Sequence, residues 1–231
     1  MTATRLLTRS PRLVELAGPA GVGKSTVLAA LRQRTVAGEP STIWGQPVVP
    51  LLGTGVQLLP ALANFWWRSE SLLWAESRHM VRLRTLHRRL QERDPASAPM
   101  LIFDEGPVFA LTWLRGFGDE SLRRESAAEW WNATLRQWAP LIDLVVVLDA
   151  SDDRLAARIK SRSTWHEVKG SSVQEITIWM ARFRTALEWV LAGLTARGGG
   201  PRVVRISADG TRPEQVADQV SSALKLGSYD D

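Results

Sequence analysis

The stretch Gly18–Ser25 restricts the fold of this chain more than any other part of the sequence. It reads Gly-Pro-Ala-Gly-Val-Gly-Lys-Ser and satisfies the P-loop pattern Gly-x-x-x-x-Gly-Lys-Ser/Thr at every fixed position. An apolar run, Leu13–Ala17, precedes it, and a helical pattern begins at about Lys24. We therefore predict a tight turn between a strand and a helix, whose backbone N–H groups and helix N-terminus hold phosphate groups.

Each position of this P-loop has an expected role in binding a nucleoside triphosphate together with Mg²⁺. We expect Lys24 to reach the β- and γ-phosphates, the Ser25 hydroxyl to bind Mg²⁺ and Thr26 to contact the α-phosphate. The remaining residues expected to surround the phosphates are Gly18, Ala20, Gly21, Val22 and Gly23.

Short apolar runs alternate with helical patterns along the chain, which is typical of a parallel sheet covered by helices. We predict an α/β fold, a three-layer P-loop NTPase with a central parallel sheet of about five strands. The predicted strands are Leu13–Ala17, Thr42–Val49, Met100–Phe103, Leu144–Leu148 and Val203–Ile206. Pro47 makes the second of these a weaker or edge strand. We predict a single domain over residues 1–231, with a helical insert at about 53–95 and a lid at about 154–172. The first helix is expected to end near Gly38-Glu39-Pro40, and the insert to have a break near Arg68-Ser69-Glu70. Asp152 or Asp153 can cap the helix after the fourth strand.

Composition excludes several kinds of site. The chain has no cysteine, which excludes disulfides, thiolate zinc sites and cysteine nucleophiles, and it has only three histidines. No apolar stretch reaches the roughly 18 residues of a membrane span, and the N-terminus has no signal-peptide run. We expect a soluble, cytoplasmic protein with no membrane partner.

The net charge of +5 has three interpretations: attraction to a polyphosphate substrate, nucleic-acid binding, or arginine-rich, solvated helix faces. We expect a small-molecule partner rather than nucleic acid, and a homodimer stays open.

A second acidic element follows the third predicted strand. The run Met100-Leu-Ile-Phe ends in Asp104 and Glu105, and in a parallel sheet that end lies beside the P-loop. One carboxylate is needed to hold Mg²⁺, and the other can accept a proton from an attacking oxygen. We assign Asp104 to the metal and Glu105 to the base or acceptor contact, but the reverse stays open because neighbouring strand-end residues point to different sides.

Three arginines follow the fourth predicted strand. Arg154, Arg158 and Arg162 are spaced by four residues, so they share one helix face. Arginines that close over a transferred phosphoryl group stabilise its charge, although a basic surface stripe has the same spacing. We expect Arg158 and Arg162 to act in catalysis from the lid, with His166 structural or on the lid surface.

Taken together, these elements resemble the nucleoside and nucleotide kinase group of P-loop proteins, particularly thymidylate kinases. The resemblance implies ATP as phosphoryl donor, Mg²⁺, and lid arginines at Arg158 and Arg162. It also implies that the loop Ala208–Thr211, with Asp209, packs near the donor base. The segment Leu72–His79 resembles the helix in which an arginine, here Arg78, contacts the acceptor.

The acceptor side departs from the thymidylate kinase pattern. The acid–arginine pair after strand three is replaced by Asp104-Glu105-Gly106, and Gly45-Gln46-Pro47 lacks the usual acidic residue. The spacing of four between Trp74 and Arg78 places an aromatic ring beside the arginine, which suits an anionic or planar acceptor. If Arg78 does not hold the acceptor, we expect the acceptor to bind near Gly106 and Trp113. The tryptophan-rich insert indicates a different or bulkier substrate than thymidylate.

The leading functional hypothesis is a kinase that transfers the γ-phosphoryl group of ATP to a nucleoside, nucleotide or related acceptor. The main alternative is a P-loop ATPase in which Glu105 activates water, and a third is a nucleotide-dependent binding protein without catalysis. The chain lacks the Leu-Ser-Gly-Gly-Gln signature of ABC-type ATPases and the Asn-Lys-x-Asp guanine motif.

Overall fold

The computed structural model describes residues 13–33, 38–45, 74–93, 100–163, 166–196 and 198–225. The strands are β1 (Leu13–Ala17), β2 (Gly38–Thr42), β3 (Met100–Glu105), β4 (Leu144–Asp149) and β5 (Arg202–Ser207). The helices are α1 (Lys24–Gln33), α2 (Trp74–Glu92), α3 (Pro107–Phe117), α4 (Ala128–Trp138), α5 (Asp152–Ser161), α6 (Val173–Thr195) and α7 (Pro213–Lys225). Short 3₁₀ turns cover Ile43–Gly45, Glu120–Arg123 and Glu125–Ala127.

The five described strands form one parallel sheet in the order β2-β3-β1-β4-β5. Because β1 is central, the P-loop that follows it emerges between the ends of β3 and β4. Ligands of open α/β sheets bind at this edge, outside the carboxyl ends of the strands. The predicted α/β class, with a parallel sheet of about five strands, is confirmed.

Alternation along the strands creates two cores, one on each face of the sheet. On β1, Leu13 and Ala17 join the core against α2, α3, α4 and most of α6. Val14 and Leu16 point the other way, into the core formed with α1, α5, α7 and the start of α6. The helices therefore cover both faces of the sheet, which confirms the three-layer architecture.

The second strand lies earlier than the sequence pattern indicated. We predicted Thr42–Val49, whereas β2 spans Gly38–Thr42 and the chain then enters a 3₁₀ turn. The sequence pattern extended α1 to about Gly38-Glu39-Pro40, but the helix ends at Gln33. Proline at position 40 is tolerated because β2 is an edge strand, as expected for the second strand. Pro47 and the predicted helix break at Arg68-Ser69-Glu70 lie outside the described residues.

The helix α5 begins one residue earlier than the capping pattern indicated. We expected Asp152 or Asp153 as its N-cap, but Ser151 occupies that position and the two aspartates lie in the first turn. Asp152 accepts a hydrogen bond from Arg184 on α6 instead, at 2.6 Å. Among the described helices, none is both long and apolar enough to cross a bilayer.

Trp138 and Trp74 provide a matched test of the core. Trp138, the last residue of α4, is buried in the core and 1% exposed, whereas Trp74 at the start of α2 is 65% exposed. We expect Trp138→Ala to lower the free energy of unfolding by about 3–5 kcal/mol, through lost burial and a cavity. Trp74→Ala should change it by no more than about 0.5 kcal/mol. Urea denaturation measures both, and equal losses would contradict this packing.

Candidate active site

The P-loop turns sharply between β1 and α1. Gly18, Gly21 and Gly23 have φ angles of 143°, 82° and 102°, which side chains rarely adopt. A Cβ on Gly18 would lie 2.1 Å from the carbonyl oxygen of Leu148, so the turn also needs glycine for space. A Cβ on Gly23 would meet no atom within 4 Å, because the loop there borders a cavity. The P-loop is therefore packed against β4 at Gly18 and borders the cavity at Gly23.

Lys24 is a half-buried cation held by neutral groups. Its Nζ donates to the carbonyl oxygens of Gly18 at 2.7 Å and Pro19 at 3.1 Å. Burial lowers its pKa to about 8, an effect that the nearby carboxylates of Glu105 and Asp104 partly offset. An ammonium group has three N–H donors, so these two contacts leave one for a ligand. A polyphosphate above the loop fits this arrangement, since it supplies counter-charge to the desolvated lysine.

A β-bulge at the end of β3 sets the directions of the two acidic residues. Ser41 of β2 pairs with Phe103, but Thr42 pairs with Glu105, so Asp104 is the extra residue. In a regular strand, consecutive side chains point to opposite faces. Bulges redirect side chains next to active sites. Here both carboxylates line the same cavity.

The two carboxylates have different partners. Asp104 Oδ2 accepts a hydrogen bond from Ser25 Oγ at 3.1 Å. A serine hydroxyl beside a carboxylate is the kind of oxygen pair that holds Mg²⁺ with a nucleotide. Glu105 Oε2 accepts a hydrogen bond from the Trp44 indole N–H at 2.6 Å. The structure thus separates Asp104, beside the P-loop, from Glu105, beside the edge strand.

Trp44, which the sequence analysis missed, belongs to an aromatic cluster behind Glu105. The Arg82 guanidinium lies 4.7 Å from its ring centroid, and the His79 ring meets it edge-on at 5.1 Å. His79 in turn stacks on Trp113 at 4.4 Å. This packing fixes the indole and hence the orientation of the Glu105 carboxylate. No local pattern could identify Trp44, because the preceding strand was predicted in the wrong place.

Glu15 is a second residue that the sequence analysis missed. It lies on β1 between core residues and is 0% exposed. Its carboxylate accepts hydrogen bonds from the N–H groups of Gly106 at 3.1 Å, Val108 at 2.8 Å and Phe109 at 2.7 Å, at the start of α3. A Cβ on Gly106 would lie 2.7 Å from Glu15 Oε2, so glycine is needed there. An acidic residue inside the apolar run before the P-loop was the available signal.

A cavity of about 460 Å³ lies between the P-loop and the helices α3 and α6. Predicted site residues that line it are Gly18, Ala20, Gly21, Gly23, Lys24, Ser25, Thr26, Asp104, Glu105, Arg158 and Arg162. The Arg158 guanidinium donates to the carbonyl oxygens of Gly21 and Val22 at 3.3 and 3.4 Å. The opposite wall contains His166 and Glu167 of the predicted lid. It also contains four aromatic residues that we call the aromatic half: Phe109, Trp113, Trp179 and Phe183.

A smaller cavity of about 270 Å³ adjoins the P-loop. Its lining includes Thr26, Arg158, Ala208 and Thr211, so the loop before α7 does lie beside the phosphate cradle. The Asp209 side chain does not line it. Instead, Asp209 accepts hydrogen bonds from the backbone N–H and hydroxyl of Ser151, at 2.8 and 3.0 Å, and thereby ties this loop to the start of α5.

Three other predicted residues lie away from the larger cavity. Trp74 is mostly exposed, and the Arg78 guanidinium lies 6.0 Å from the Trp44 ring centroid. Arg154 lies 3.6 Å from an Asp209 carboxylate oxygen, although it shares the helix stripe with Arg158 and Arg162. None of the three is among the residues that line that cavity. Arg78 therefore lies behind Trp44 and beside His79 rather than in the cavity wall.

A strand–loop–helix phosphate cradle at the centre of a parallel sheet, with a serine–aspartate pair beside it, defines the P-loop class of nucleotide-binding folds. No protein-family profile matches the sequence, and no curated protein matches it. Solved structures do match. The chain is similar to thymidylate kinase from Candida albicans, with a TM-score of 0.56 and 15% identity over 94% of this chain and 93% of that one.

It is also similar to deoxyadenosine kinase from M. mycoides with bound dATP, with a TM-score of 0.52 and 15% identity over 92% of this chain and 99% of that one. The predicted resemblance to P-loop nucleoside and nucleotide kinases is thus confirmed for the fold.

The buried carboxylate of Glu15 should make stability depend on pH. Burial raises its pKa from the ordinary value of 4.5 to about 7, although the three N–H donors and Lys24 oppose the shift. Between these pH values the folded chain keeps a proton that the unfolded chain releases, so the free energy of unfolding falls as pH rises. Relative to Glu15→Gln, wild type should lose about 3 kcal/mol from pH 4.5 to 7.

Urea denaturation at several pH values measures this difference, with the surface variant Glu125→Gln as control. If Glu15→Gln and wild type show parallel pH dependence, Glu15 is not the titrating group.

Proposed function

We propose that the protein is a Mg²⁺-dependent kinase that transfers the γ-phosphoryl group of ATP to a small-molecule acceptor. The observation that carries this proposal is the bulge in β3, because it turns Asp104 and Glu105 into one cavity with the P-loop. One carboxylate can then serve the metal while the other faces the acceptor. The likeness in fold to nucleoside and nucleotide kinases supports the same chemistry.

The donor would lie across the P-loop. The loop N–H groups and Lys24 would hold its β- and γ-phosphates, and Thr26, which lines both cavities, would contact the α-phosphate. The base would enter the smaller cavity, beside Ala208 and Thr211. Asp209 would act on the donor indirectly, by anchoring this loop to Ser151.

Ser25 and Asp104 would hold Mg²⁺, since their oxygens lie together at the open end of the cradle. The bound ion would neutralise charge on the phosphate oxygens during transfer. MgATP is therefore the donor species that we propose, in agreement with the hard oxygen ligands available.

In the transfer step, an acceptor oxygen forms a bond to the γ-phosphorus while the bond from phosphorus to the β–γ bridging oxygen breaks. Glu105 takes the acceptor proton, and the indole N–H of Trp44 keeps its carboxylate aimed at the cavity. Arg158 and Arg162 line the cavity and would stabilise charge on the transferred group, with residues 154–172 acting as the lid. ADP and the phosphorylated acceptor leave.

We place the acceptor between Glu105 and Trp113. Arg78 and Trp74 remain proposed acceptor contacts, and the contact of Arg78 with Trp44 is the route by which it would influence the Glu105 side. The competing function is an ATPase in which Glu105 activates water. The aromatic half favours a kinase, because water needs no apolar wall whereas an organic acceptor does.

The decisive measurement is ADP formation from ATP and Mg²⁺, with and without a panel of nucleosides, nucleotides and related alcohols. We expect acceptor-dependent ADP from the wild type. Lys24→Ala should abolish turnover with the fold intact, because Lys24 supplies charge to the phosphates. ADP formation that is indifferent to every acceptor would instead establish the ATPase alternative.

Substitutions of Asp104 and Glu105 should affect different kinetic quantities. Asp104→Asn and Ser25→Ala should both raise the Mg²⁺ concentration needed for half-maximal activity, since they share one metal position. Glu105→Gln should lower kcat by about 10²–10⁴-fold with the Mg²⁺ dependence and ATP KM unchanged. A Mg²⁺ defect in Glu105→Gln with a normal response in Asp104→Asn would reverse the two roles.

A further inference from the structure

We propose that the acceptor is an uncharged alcohol bearing a planar ring, and that Glu167 with Glu105 excludes acceptors that already carry a phosphate. This inference rests on the kinase function proposed above and specifies the substrate class of the same site.

The two ends of the cavity differ in chemical character. The P-loop end contains the glycine turn, Lys24 and Arg158, whose guanidinium is held on the loop carbonyl oxygens. The opposite end is the aromatic half, contributed by α3 and α6. Phosphate groups match the first end and apolar groups the second, so donor and acceptor are distinguished before any catalytic residue acts.

Ring stacking holds the side chains of the aromatic half in place. Phe117 stacks on Trp179 with ring centroids 4.7 Å apart and planes 17° apart. Trp179 and Phe183 are also nearly parallel, with an interplanar angle of 14° and centroids 5.8 Å apart. On the α3 side, Trp113 is held by its stack on His79. Fixed rings in this arrangement receive another flat ring by offset or edge contact, which favours a planar acceptor.

The charges on the cavity wall oppose an anionic acceptor. Among its described lining residues, the three cations Lys24, Arg158 and Arg162 are matched by the three carboxylates of Asp104, Glu105 and Glu167. A bound triphosphate adds negative charge to this balance, and the proposed Mg²⁺ would offset only part of it. A phosphate on the acceptor would add more, and it would be repelled by Glu105, which is half-buried, and by Glu167, which is exposed and partly screened by water.

Glu167 is fixed where this repulsion would act. Its Oε1 accepts a hydrogen bond from the Trp179 indole N–H at 2.9 Å, which holds the carboxylate against the aromatic half. The neighbouring His166 compensates little, because burial and then Arg162 lower its pKa and disfavour the charged ring. Among the described lining residues the basic ones are Lys24, Arg158 and Arg162, and none of them belongs to α3 or α6, although Arg162 lies near enough to His166 to lower its pKa. Arg182, which lies 5.5 Å from the Phe117 ring centroid, is outside that lining.

The reaction then takes a neutral hydroxyl to a phosphate monoester. Glu105 accepts the hydroxyl proton, the oxygen bonds to the γ-phosphorus of ATP, and ADP leaves with the bridging oxygen. The product carries the charge that the cavity excludes, so repulsion by Glu167 and Glu105 would also favour its release.

The test compares matched acceptors by acceptor-dependent ADP formation. The panel contains nucleosides and a hydroxymethylpyridine, each with its monophosphate, and glycerol as a non-planar alcohol. We expect kcat/KM for the planar neutral alcohols that serve as substrates to exceed that for their monophosphates by about 100-fold, as a few kcal/mol of repulsion would give. Glycerol should be a poor acceptor because it cannot stack.

The variant Glu167→Gln tests the effect of the negative charge of Glu167 separately from its hydrogen bond. Glutamine keeps an oxygen for the Trp179 N–H and removes only the negative charge, so kcat/KM for the monophosphates should rise about 10-fold. The readout is the ratio of kcat/KM for each monophosphate to kcat/KM for its parent alcohol, and this ratio should rise by the same factor. Glu188→Gln, on the same helix as Trp179 but paired with Arg205 outside this cavity, is the matched control and should behave as wild type.

Three outcomes overturn the inference. Wild-type preference for monophosphates, or equal use of glycerol, would overturn the substrate class and leave the kinase function standing. Unchanged monophosphate activity in Glu167→Gln would remove Glu167 from selection. Failure of the kinase function itself gives a different result: the rate of ADP formation would be the same whether or not any acceptor is present.

Discussion

The hydrogen bonds between the Glu15 carboxylate and the start of α3 join the parts of the molecule on which the site depends. Glu15 lies on the strand that leads into the P-loop, and its partners follow directly after Asp104 and Glu105. Through them, β1 fixes the position of both acidic residues and of Phe109 relative to the phosphate cradle. The desolvation of a carboxylate is costly, and three N–H donors at a helix start offset only part of it. The hydrogen bonds of Glu15 therefore fix the position of the site residues, while its buried carboxylate lowers the stability of the fold.

The bulge in β3 adds the second constraint. A regular strand would have turned one acidic side chain away from the ligand, whereas the extra residue brings both into one cavity. Their environments then separate them, since Asp104 meets the Ser25 hydroxyl and Glu105 meets the Trp44 indole. Two adjacent residues of the same charge thus take different partners because the backbone, rather than the residue type, directs them.

Local patterns predicted the parts of the structure that local interactions determine. The P-loop and the central strand β1 were predicted at their observed positions, because glycine spacing and apolar runs are visible in a few consecutive residues. The edge strand β2 was misplaced, since its short polar sequence has no alternation to reveal it. The aromatic half could not be derived either, because it forms only when α3 packs on α6. Trp44, Arg78 and Glu15 meet their partners through such long-range packing.

The position of β2 at the edge of the sheet has an evolutionary consequence. Among the described strands, β3 alone pairs with it, and it ends next to Trp44, the residue that orients Glu105. The P-loop, by contrast, follows a strand held on both sides. Substitutions near the end of β2 can therefore change the surroundings of Glu105 while the phosphate cradle stays intact. For the kinase proposed above, this would let acceptor choice change more easily than the way in which the donor is held.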